Sequence, residues 1–261
     1  MKRGARCLPG VLLGALCITS CASGSHLTPG QPEGTSLLLN PRAPELNRRA
    51  PEIFDVRLET SKGAMVIEVH RDWAPHGADR FYNLVRAGYY DDSRFFRVIA
   101  GKWAQFGIAG NPKISGAWRN ATFPDDPRIE SNQRGTVAFA FAVPDGRTTE
   151  VFINLRDNSA THDAEPFVPF GRIIAGMDVA DRLNAEYGES SGGGIRGGKQ
   201  APLFEMGNAY LDRNFPRLEH LVRATVSGPP AHQAGQSTGR RFSFSPGATV
   251  SPYAHRQPIT V

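Results

Sequence analysis

The chain has 261 residues, three cysteines and a formal net charge of +5. All three cysteines lie within the first 21 residues, which excludes a disulfide, a thiolate metal site and a thiol nucleophile from the rest of the chain. Three basic residues lie in the first six positions and three more follow Ser227 without any acid, and leaving out these six changes the charge from +5 to −1. The remaining part has no basic excess, so no nucleic-acid partner is predicted.

The first segment, MKRGARCLPGVLLGALCITSCAS, combines a basic start with an apolar run. The run is too short for a membrane span and has the length of the apolar region of a secretory signal. The letters ITSC at 18–21 resemble the lipobox of bacterial lipoproteins, which predicts a signal peptide over 1–20, cleavage before Cys21 and acylation of that cysteine. A plain signal peptide cut near Ala22 or Gly24 is the alternative. Ala22 stands where the inner-membrane retention signal has aspartate, which favours an outer-membrane anchor facing the periplasm.

Composition divides the remainder of the chain into three parts. Residues 21–50 are rich in Pro, Gly, Ser and Asn with little periodicity, which is typical of a flexible tether. The same bias returns at the other end and predicts a disordered tail over 227–261. No internal repeat is found, and residues 51–226 have the size of one domain.

Alternation of apolar and polar residues dominates this domain and predicts a mainly β fold. The segments 54–60 and 64–69 flank a Lys-Gly turn and are predicted to form a hairpin. The other predicted strands are 94–99, 136–143, 150–155, 167–174 and 220–226. In the second of these, Phe139 and Phe141 alternate with alanines, and large and small residues on opposite faces suit a tightly curved, closed sheet.

Two segments carry the apolar period of a helix. The first covers 74–90, with Pro75 near its first turn, and the second covers 175–188. Many strands with two separated helices predict a closed antiparallel barrel whose ends the helices cap. A third helix can form near 208–218, where Pro216 argues against a long one.

Two motif-like stretches carry no predicted function. In GGGIRGGKQ at 192–200, Gly and Lys have the spacing of a phosphate-binding loop. Gln200 replaces the Ser or Thr that binds Mg²⁺, however, and no strand precedes the stretch, so we interpret it as a flexible surface loop. The histidines form neither HExxH nor an i, i+4 pair, and no serine in a G-x-S-x-G turn accompanies His70 or His162-Asp163. We interpret these histidines as solvated loop residues and predict no metal site.

One predicted strand carries a charge that its apolar character does not explain. In SRFFRVIAGKWAQFGIAG at 93–110, Arg97 stands among four apolar residues, and Gln105 follows across a turn at Ala100-Gly101. A charge in an apolar strand costs free energy unless it is paired or faces a cleft. Taken singly, Arg97 is better explained by a structural ion pair than by a function.

The order of several motifs resembles that of the cyclophilin-type peptidyl-prolyl isomerases. FFRVIAGKWAQFG, NQRGTVAFA, EVFINL and FVPFGRIIAGMDVADRL follow one another as the family's motifs do, over most of 53–186. The resemblance implies an eight-stranded barrel with two capping helices and an enzyme that accelerates rotation about X-Pro bonds. Because that reaction makes no bond to the enzyme, it implies no nucleophile, metal or cofactor.

The same motifs imply site residues position by position. Arg97 matches the family's arginine, which donates a hydrogen bond to the prolyl nitrogen as the amide twists. Gln105 matches the glutamine that holds the substrate backbone and orients the arginine. Phe152 matches the phenylalanine of the proline pocket, Trp103 takes the place of its methionine, and Ala140 matches the alanine of a neighbouring substrate-binding strand.

Several positions depart from the family's pattern. Lys102 stands where the family has a pocket phenylalanine, Glu150 replaces a substrate-contacting glutamine, and Phe167 stands where eukaryotic members have a histidine. The family's rim aromatic falls near 160–161, where this sequence offers none. These changes predict weak or no inhibition by cyclosporin, and the resemblance does not extend over an insert at about 188–218.

We therefore predict an exported, lipid-anchored, monomeric isomerase that acts on proline-containing segments of exported proteins. An alternative is a catalytically weak module that grips such segments, which Lys102, Glu150 and the missing rim aromatic favour. A hydrolase on a small barrel is a further alternative, against which the missing nucleophile and metal ligands speak.

Overall fold

The computed structural model describes residues 33–227. In this part of the chain, one sheet contains nine strands: β1 (Ile53–Thr60), β2 (Gly63–His70), β3 (Ser93–Arg94), β4 (Arg97–Ile99), β5 (Trp103–Phe106), β6 (Thr136–Phe139), β7 (Val151–Asn154), β8 (Pro169–Ala175) and β9 (His220–Ser227). The helices are α1 (Glu33–Leu38), α2 (Pro75–Arg86), α3 (Pro112–Trp118), α4 (Ser159–His162), α5 (Met177–Asp181), α6 (Ala201–Met206) and α7 (Asn208–Asn214), with 3₁₀ turns at Pro44–Leu46 and Ile195–Gly197.

Strands β1 and β2 form the hairpin that their alternation predicts. They pair antiparallel from Ile53 opposite His70 to Thr60 opposite Gly63. The apolar positions of β1 face the core and are at most 1% exposed: Phe54, Val56 and Leu58. Both strand predictions are confirmed.

The two edge strands of the sheet are consecutive in the sequence. The strand order is β3-β9-β1-β2-β8-β6-β7-β5-β4, so β3 and β4 are the edges. Only Phe95 and Phe96 join these two strands, and the sheet must therefore curl round on itself. The predicted strand 94–99 is thus split, and the sheet has nine strands where the resemblance implied eight. The mainly β class and the antiparallel pairing are confirmed.

Strand β6 is shorter than its alternation predicts. The chain leaves the sheet after Phe139, and Val143 is 61% exposed. Large and small residues nevertheless face opposite ways within this segment. Phe139 belongs to the main core, whereas Ala138 and Ala140 lie in a separate small cluster that the site below uses.

Of the two predicted capping helices, α2 is three turns long and α5 is a single turn. Helix α2 begins at Pro75, and the chain turns away at Gly88, whose φ of +71° suits glycine. The prediction of a helix over 175–188 is wrong beyond α5. The side chain of Asn184 accepts a hydrogen bond from Glu186 N at 2.8 Å, and such a local bond competes with the helical backbone.

The predicted insert 188–218 contains two short helices, α6 and α7, of which the second lies where a short helix was expected. Both helices pack against the barrel through a second apolar cluster, whose buried members are Phe96, Ile108, Leu203, Leu211 and Leu218. Because Phe96 comes directly before β4, this cluster holds the insert next to the strand that carries Arg97.

The prediction of a flexible tether over 21–50 is wrong for residues 36–50, which pack on the domain. Leu38 and Leu46 are at most 4% exposed and belong to the main core. Trp118 Nε1 donates to Leu38 O at 2.8 Å, and Asp79 accepts from Ala50 N at 2.8 Å. Composition gives no sign of this, because three consecutive leucines among prolines and glycines have no helical or strand period.

The predicted signal peptide over 1–20, the acylated Cys21 and the tail beyond Ser227 lie outside the described residues. Between residues 33 and 227, none of the helices has the length and apolar character needed to cross a membrane.

Candidate active site

Three predicted site residues lie side by side on neighbouring strands. The register places Arg97 of β4 opposite Gln105 of β5, and Gln105 opposite Phe152 of β7. Directly opposite residues of antiparallel strands project to the same face of a sheet. Arg97 Nη1 donates to Gln105 Oε1 at 3.0 Å. The register depends on the predicted turn, where Gly101 has a φ of +62°.

An apolar cup opens beside this pair. Ala138, Ala140 and Phe152 form its buried floor, and Trp103 and Phe167 pack against them. The cavity has a volume of 440 Å³. Seven of the eight predicted site residues line it: Arg97, Lys102, Trp103, Gln105, Ala140, Phe152 and Phe167. The eighth, Glu150, does not.

The cup has an aromatic wall that the sequence interpretation missed. His162 lies 5.4 Å from Trp103, 5.3 Å from Phe152 and 4.8 Å from Phe167 between ring centroids. The interpretation of His162 as a solvated loop residue is therefore wrong. Burial lowers the pKa of this imidazole, so the neutral ring is favoured in the cup. His162 directly follows residues 160–161, where the family has a rim aromatic and this sequence has none. Its place next to that position was the signal in the sequence that could have identified it.

Glu150 lies behind the site and not in it. The side chain is 1% exposed and does not line the cavity, so the predicted contact with substrate is wrong. Its Oε2 accepts from Gln105 Nε2 at 2.7 Å and from Gln200 Nε2 at 2.9 Å. Burial raises the pKa of Glu150 to about 7, against the opposing effect of these hydrogen bonds. Gln105 is thus held at both ends of its amide, by Glu150 and by Arg97.

Lys102 lines the cavity. The side chain is exposed, but its main chain is fixed, because Lys102 O accepts from Leu155 N at 2.9 Å and from Asn158 Nδ2 at 2.8 Å. Arg156 lines the same cavity. This wall therefore carries two cationic side chains, whose methylenes can cover apolar surface while the charges stay in water.

Residues 189–200, here called the arm, lie against the site. Glu189 pairs with Arg97, and Arg196 lies 4.6 Å from the ring centroid of Phe141, a cavity residue that the sequence did not indicate. Ile195 packs on the apolar cup, and Gln200 is only 6% exposed. The interpretation of this stretch as a free surface loop is wrong, because its glycines let the backbone approach the barrel closely. At Gly192, for example, a Cβ would lie 2.6 Å from a ring carbon of Phe96.

The site therefore combines a fixed guanidinium, a fixed amide and an apolar cup with aromatic walls. Within residues 33–227, no group of three or more His, Cys, Asp and Glu side chains could hold a metal ion. Such a site can bind an apolar ring and donate hydrogen bonds to an amide next to it.

Comparison with known proteins shows the family to which the chain belongs. The sequence model described as "Cyclophilin type peptidyl-prolyl cis-trans isomerase/CLD" matches residues 55–202, more than half of the chain. The chain belongs to the cyclophilin-type peptidyl-prolyl cis-trans isomerases.

Individual relatives agree with this assignment. A peptidyl-prolyl cis-trans isomerase of Acinetobacter baylyi is 32% identical over 136 residues, which are 49% of this chain and 70% of the relative. The isomerase cyp18 of Streptomyces antibioticus is 32% identical over 149 residues, 53% of this chain and 87% of the relative. Among solved structures, a cyclophilin-type isomerase of Cryptosporidium parvum shares the fold with a TM-score of 0.50 at 17% identity, covering 68% of this chain and 99% of its own.

The cyclophilin match covers the whole of the arm. It ends at residue 202, whereas the predicted insert begins at 188, so residues 188–202 belong to the matched stretch and the expectation that the resemblance stops before them is wrong. The short motifs of the sequence could not show this, because Gly- and Ser-rich stretches carry little pattern. Only the fold brings Glu189 and Gln200 to the site of this cyclophilin-type domain.

Proposed function

We propose that the cavity beside Arg97 is the site at which this cyclophilin-type isomerase rotates X-Pro bonds. The proline ring of a polypeptide segment lies in the cup formed by Trp103, Phe152 and Phe167. Arg97 donates to the prolyl nitrogen, and Gln105 holds the substrate backbone. The hydrogen-bonded Arg97–Gln105 pair on the wall of an apolar cup is the observation that carries this proposal.

The physical reason lies in the electronic structure of the amide. Planar resonance gives X-Pro bonds a barrier of about 18–20 kcal/mol, and uncatalysed exchange takes tens to hundreds of seconds. As the bond twists, the nitrogen lone pair becomes localised and accepts a hydrogen bond, which a planar amide nitrogen does not. A guanidinium that donates to this nitrogen stabilises the twisted form more than either planar form, and such differential binding is catalysis.

The cup supplies affinity without chemistry. Its volume of 440 Å³ exceeds what one proline ring needs, so residues flanking the proline can also enter. Aromatic walls bind an apolar ring of either isomer, and the ring can stay in place while the preceding residue turns. The amphipathic wall at Lys102 leaves this binding open to polar neighbours of the proline.

We further propose that the chain acts as a monomer in the cell envelope, on exported proteins. The basic start, the short apolar run and the letters ITSC support a lipid anchor at Cys21. Labelling of cells with a radioactive fatty acid should mark the full chain and fail in Cys21→Ser. Equal labelling of the wild type and Cys21→Ser would contradict the lipid anchor at Cys21 and leave the isomerase proposal unaffected.

The test of the isomerase proposal is NMR exchange spectroscopy on a short Ala-Pro peptide with the full chain, wild type beside Arg97→Ala. We expect the wild type to speed cis–trans exchange and Arg97→Ala to lose about 100-fold or more of that rate, while peptide affinity changes only a few-fold. Binding shifts without faster exchange in the wild type would instead favour the module that grips proline segments. Phe152→Ala should then abolish those shifts.

A further inference from the structure

Arg97 is held by two partners from different parts of the chain. Gln105 accepts one N–H of Nη1. Glu189 of the arm accepts the N–H groups of Nε and Nη2, with Nε 3.0 Å from both carboxylate oxygens and Nη2 2.6 Å from Oε1. A carboxylate that spans two nitrogens of a guanidinium fixes its plane, which a single bond to an amide cannot do. Among residues 33–227, one N–H of Nη1 and one of Nη2 have no partner, so they remain for a substrate.

Glu189 itself is placed by contacts on either side of it. Ser190 N donates to Tyr187 O at 2.8 Å, and Ser191 Oγ donates to Phe96 O at 2.6 Å. Ser191 is 1% exposed. Phe96 is the residue before Arg97, so the arm is attached to the same short stretch of chain that presents the guanidinium. The carboxylate is therefore delivered to Arg97 by neighbouring bonds and not by a free loop.

Two more contacts restrict the same guanidinium. The Trp103 ring centroid lies 5.0 Å from Arg97 Cζ. The backbone of the arm lies close by, because a Cβ built at Gly194 would be 3.3 Å from Arg97 Cζ. A side chain at Gly194 would be in tight contact with the guanidinium. The arm thus supplies both an ion pair and a close backbone contact to one group.

The pair is too exposed to be explained by stability. The side chain of Glu189 is 50% exposed and that of Arg97 is 18% exposed. Ion pairs of this exposure add little to folding, because water screens the charges. The hydrogen bonds with Arg97 lower the pKa of Glu189, which keeps the carboxylate ionised at neutral pH.

We propose that Glu189 is a positioning residue of the isomerase, which holds the Arg97 guanidinium so that its two remaining N–H groups face the twisting X-Pro bond. This inference rests on the proposed role of Arg97. A guanidinium without this carboxylate can rotate about its side-chain bonds, so it donates to the prolyl nitrogen in only a fraction of encounters. Misplacement of a catalytic group by about 1 Å can cost 100-fold in rate.

The test compares Glu189→Gln and Glu189→Asp in the full chain with Glu186→Gln. Glu186 is a matched control, because it lies three residues earlier and pairs with a different arginine, Arg217, outside the cavity. In the Ala-Pro exchange assay we expect Glu189→Gln to lose about 10- to 100-fold in rate with peptide affinity within about twofold. Glu189→Asp should keep part of the rate, and Glu186→Gln should match the wild type.

A spectroscopic measurement separates positioning from a merely structural role. The Nε–H signal of Arg97 in ¹⁵N spectra should shift in Glu189→Gln and stay in place in Glu186→Gln. Wild-type rate in Glu189→Gln overturns the inference, as does a faster rate, which would mean that the arm obstructs the site. A rate loss matched by an equal loss of peptide affinity overturns it as well, because Glu189 would then bind substrate. If the wild type does not accelerate exchange at all, the proposed function and this inference both fail. This outcome is distinct from the others, in each of which the wild type is active.

Discussion

Arg94 and Arg97 lie three residues apart on the two edge strands, and each pairs with a carboxylate of the 188–218 segment. Arg94 donates from Nε and Nη2 to Asp212 at 2.8 and 3.0 Å, and from Nη1 to the carbonyl and carboxylate of Asp92. Its side chain is 4% exposed, whereas that of Arg97 is 18% exposed and lines a cavity. The same residue type with the same kind of partner therefore occurs in two settings.

The two arginines differ in whether N–H donors remain without a partner. Arg94 is closed in by its partners and by helix α7, so its hydrogen bonds fasten the 188–218 segment to the barrel. Arg97 keeps two N–H groups without partners among residues 33–227 and faces an apolar cup. The comparison teaches that an ion pair in itself does not distinguish structure from function. N–H donors without a partner, on a side chain that lines a cavity, indicate a functional role.

The largest expected effect is a division between activity and stability at these two positions. Arg97→Ala should lose about 100-fold in the Ala-Pro exchange rate and change the free energy of unfolding by less than about 1 kcal/mol, because its pair is screened by water. Arg94→Ala removes a buried side chain and its bonds, so it should cost about 3 kcal/mol of unfolding free energy. Its rate, measured where the protein is folded, should stay within a few-fold of the wild type.

Urea unfolding followed by tryptophan fluorescence gives the stability of both variants, and exchange spectroscopy gives the rate. Two alanine variants with the same stability and the same rate would remove the distinction between Arg94 and Arg97. Arg94→Lys is the milder companion, because lysine keeps the charge but cannot bridge Asp212 with two nitrogens.

The next effect concerns the carboxyl groups to which the two arginines are linked, which differ in burial. Arg97 leads through Gln105 to Glu150, a carboxyl that is 1% exposed, whereas Asp212 beside Arg94 is 50% exposed. Burial raises the pKa of Glu150 from its ordinary value of 4.5 to about 7. The folded protein thus holds an extra proton between these values, and the stabilising effect of that proton is lost as pH rises through about 7.

Glu150→Gln should remove this titration. The amide oxygen can still accept from Gln105 and Gln200, and no charge is buried at high pH. The variant should therefore gain stability over the wild type between pH 5 and pH 8, by on the order of 2 kcal/mol. Urea unfolding of both proteins at the two pH values measures the difference, in which shared titrations cancel. A difference that is the same at pH 5 and pH 8 would show that Glu150 does not titrate in this range.

Sequence patterns predicted the centre of the site but not its surroundings. Arg97 and Gln105 stand opposite each other because a short apolar segment, a Gly turn and a second apolar segment define a hairpin locally. Phe152 was predicted from the resemblance of EVFINL to a cyclophilin motif, and the register places it opposite Gln105. These contacts involve neighbouring strands, whose register is fixed by period and turn.

The missing parts come from chain segments without a period. Glu189 reaches Arg97 across 92 residues, and its position depends on how the arm folds onto Phe96. His162 lies on a single helical turn that no apolar period marks. Residues 33–50 have the composition of a linker, yet Leu38 and Leu46 are buried because hydrophobic burial requires only a fitting surface and not a regular pattern.

The smallest expected effect comes from the ring beside Arg97. Trp103 lies 5.0 Å from the Arg97 guanidinium, a cation–π contact that Arg94 does not make within the described residues. Such a contact contributes about 0.5–1 kcal/mol, so Trp103→Met, which keeps an apolar wall, should lower the exchange rate about two- to fivefold. In an Arg97→Ala background the same substitution should have no further effect on rate, since the cation is gone. Equal losses in both backgrounds, measured as a double-mutant cycle, would mean that Trp103 acts on the proline ring and not through Arg97.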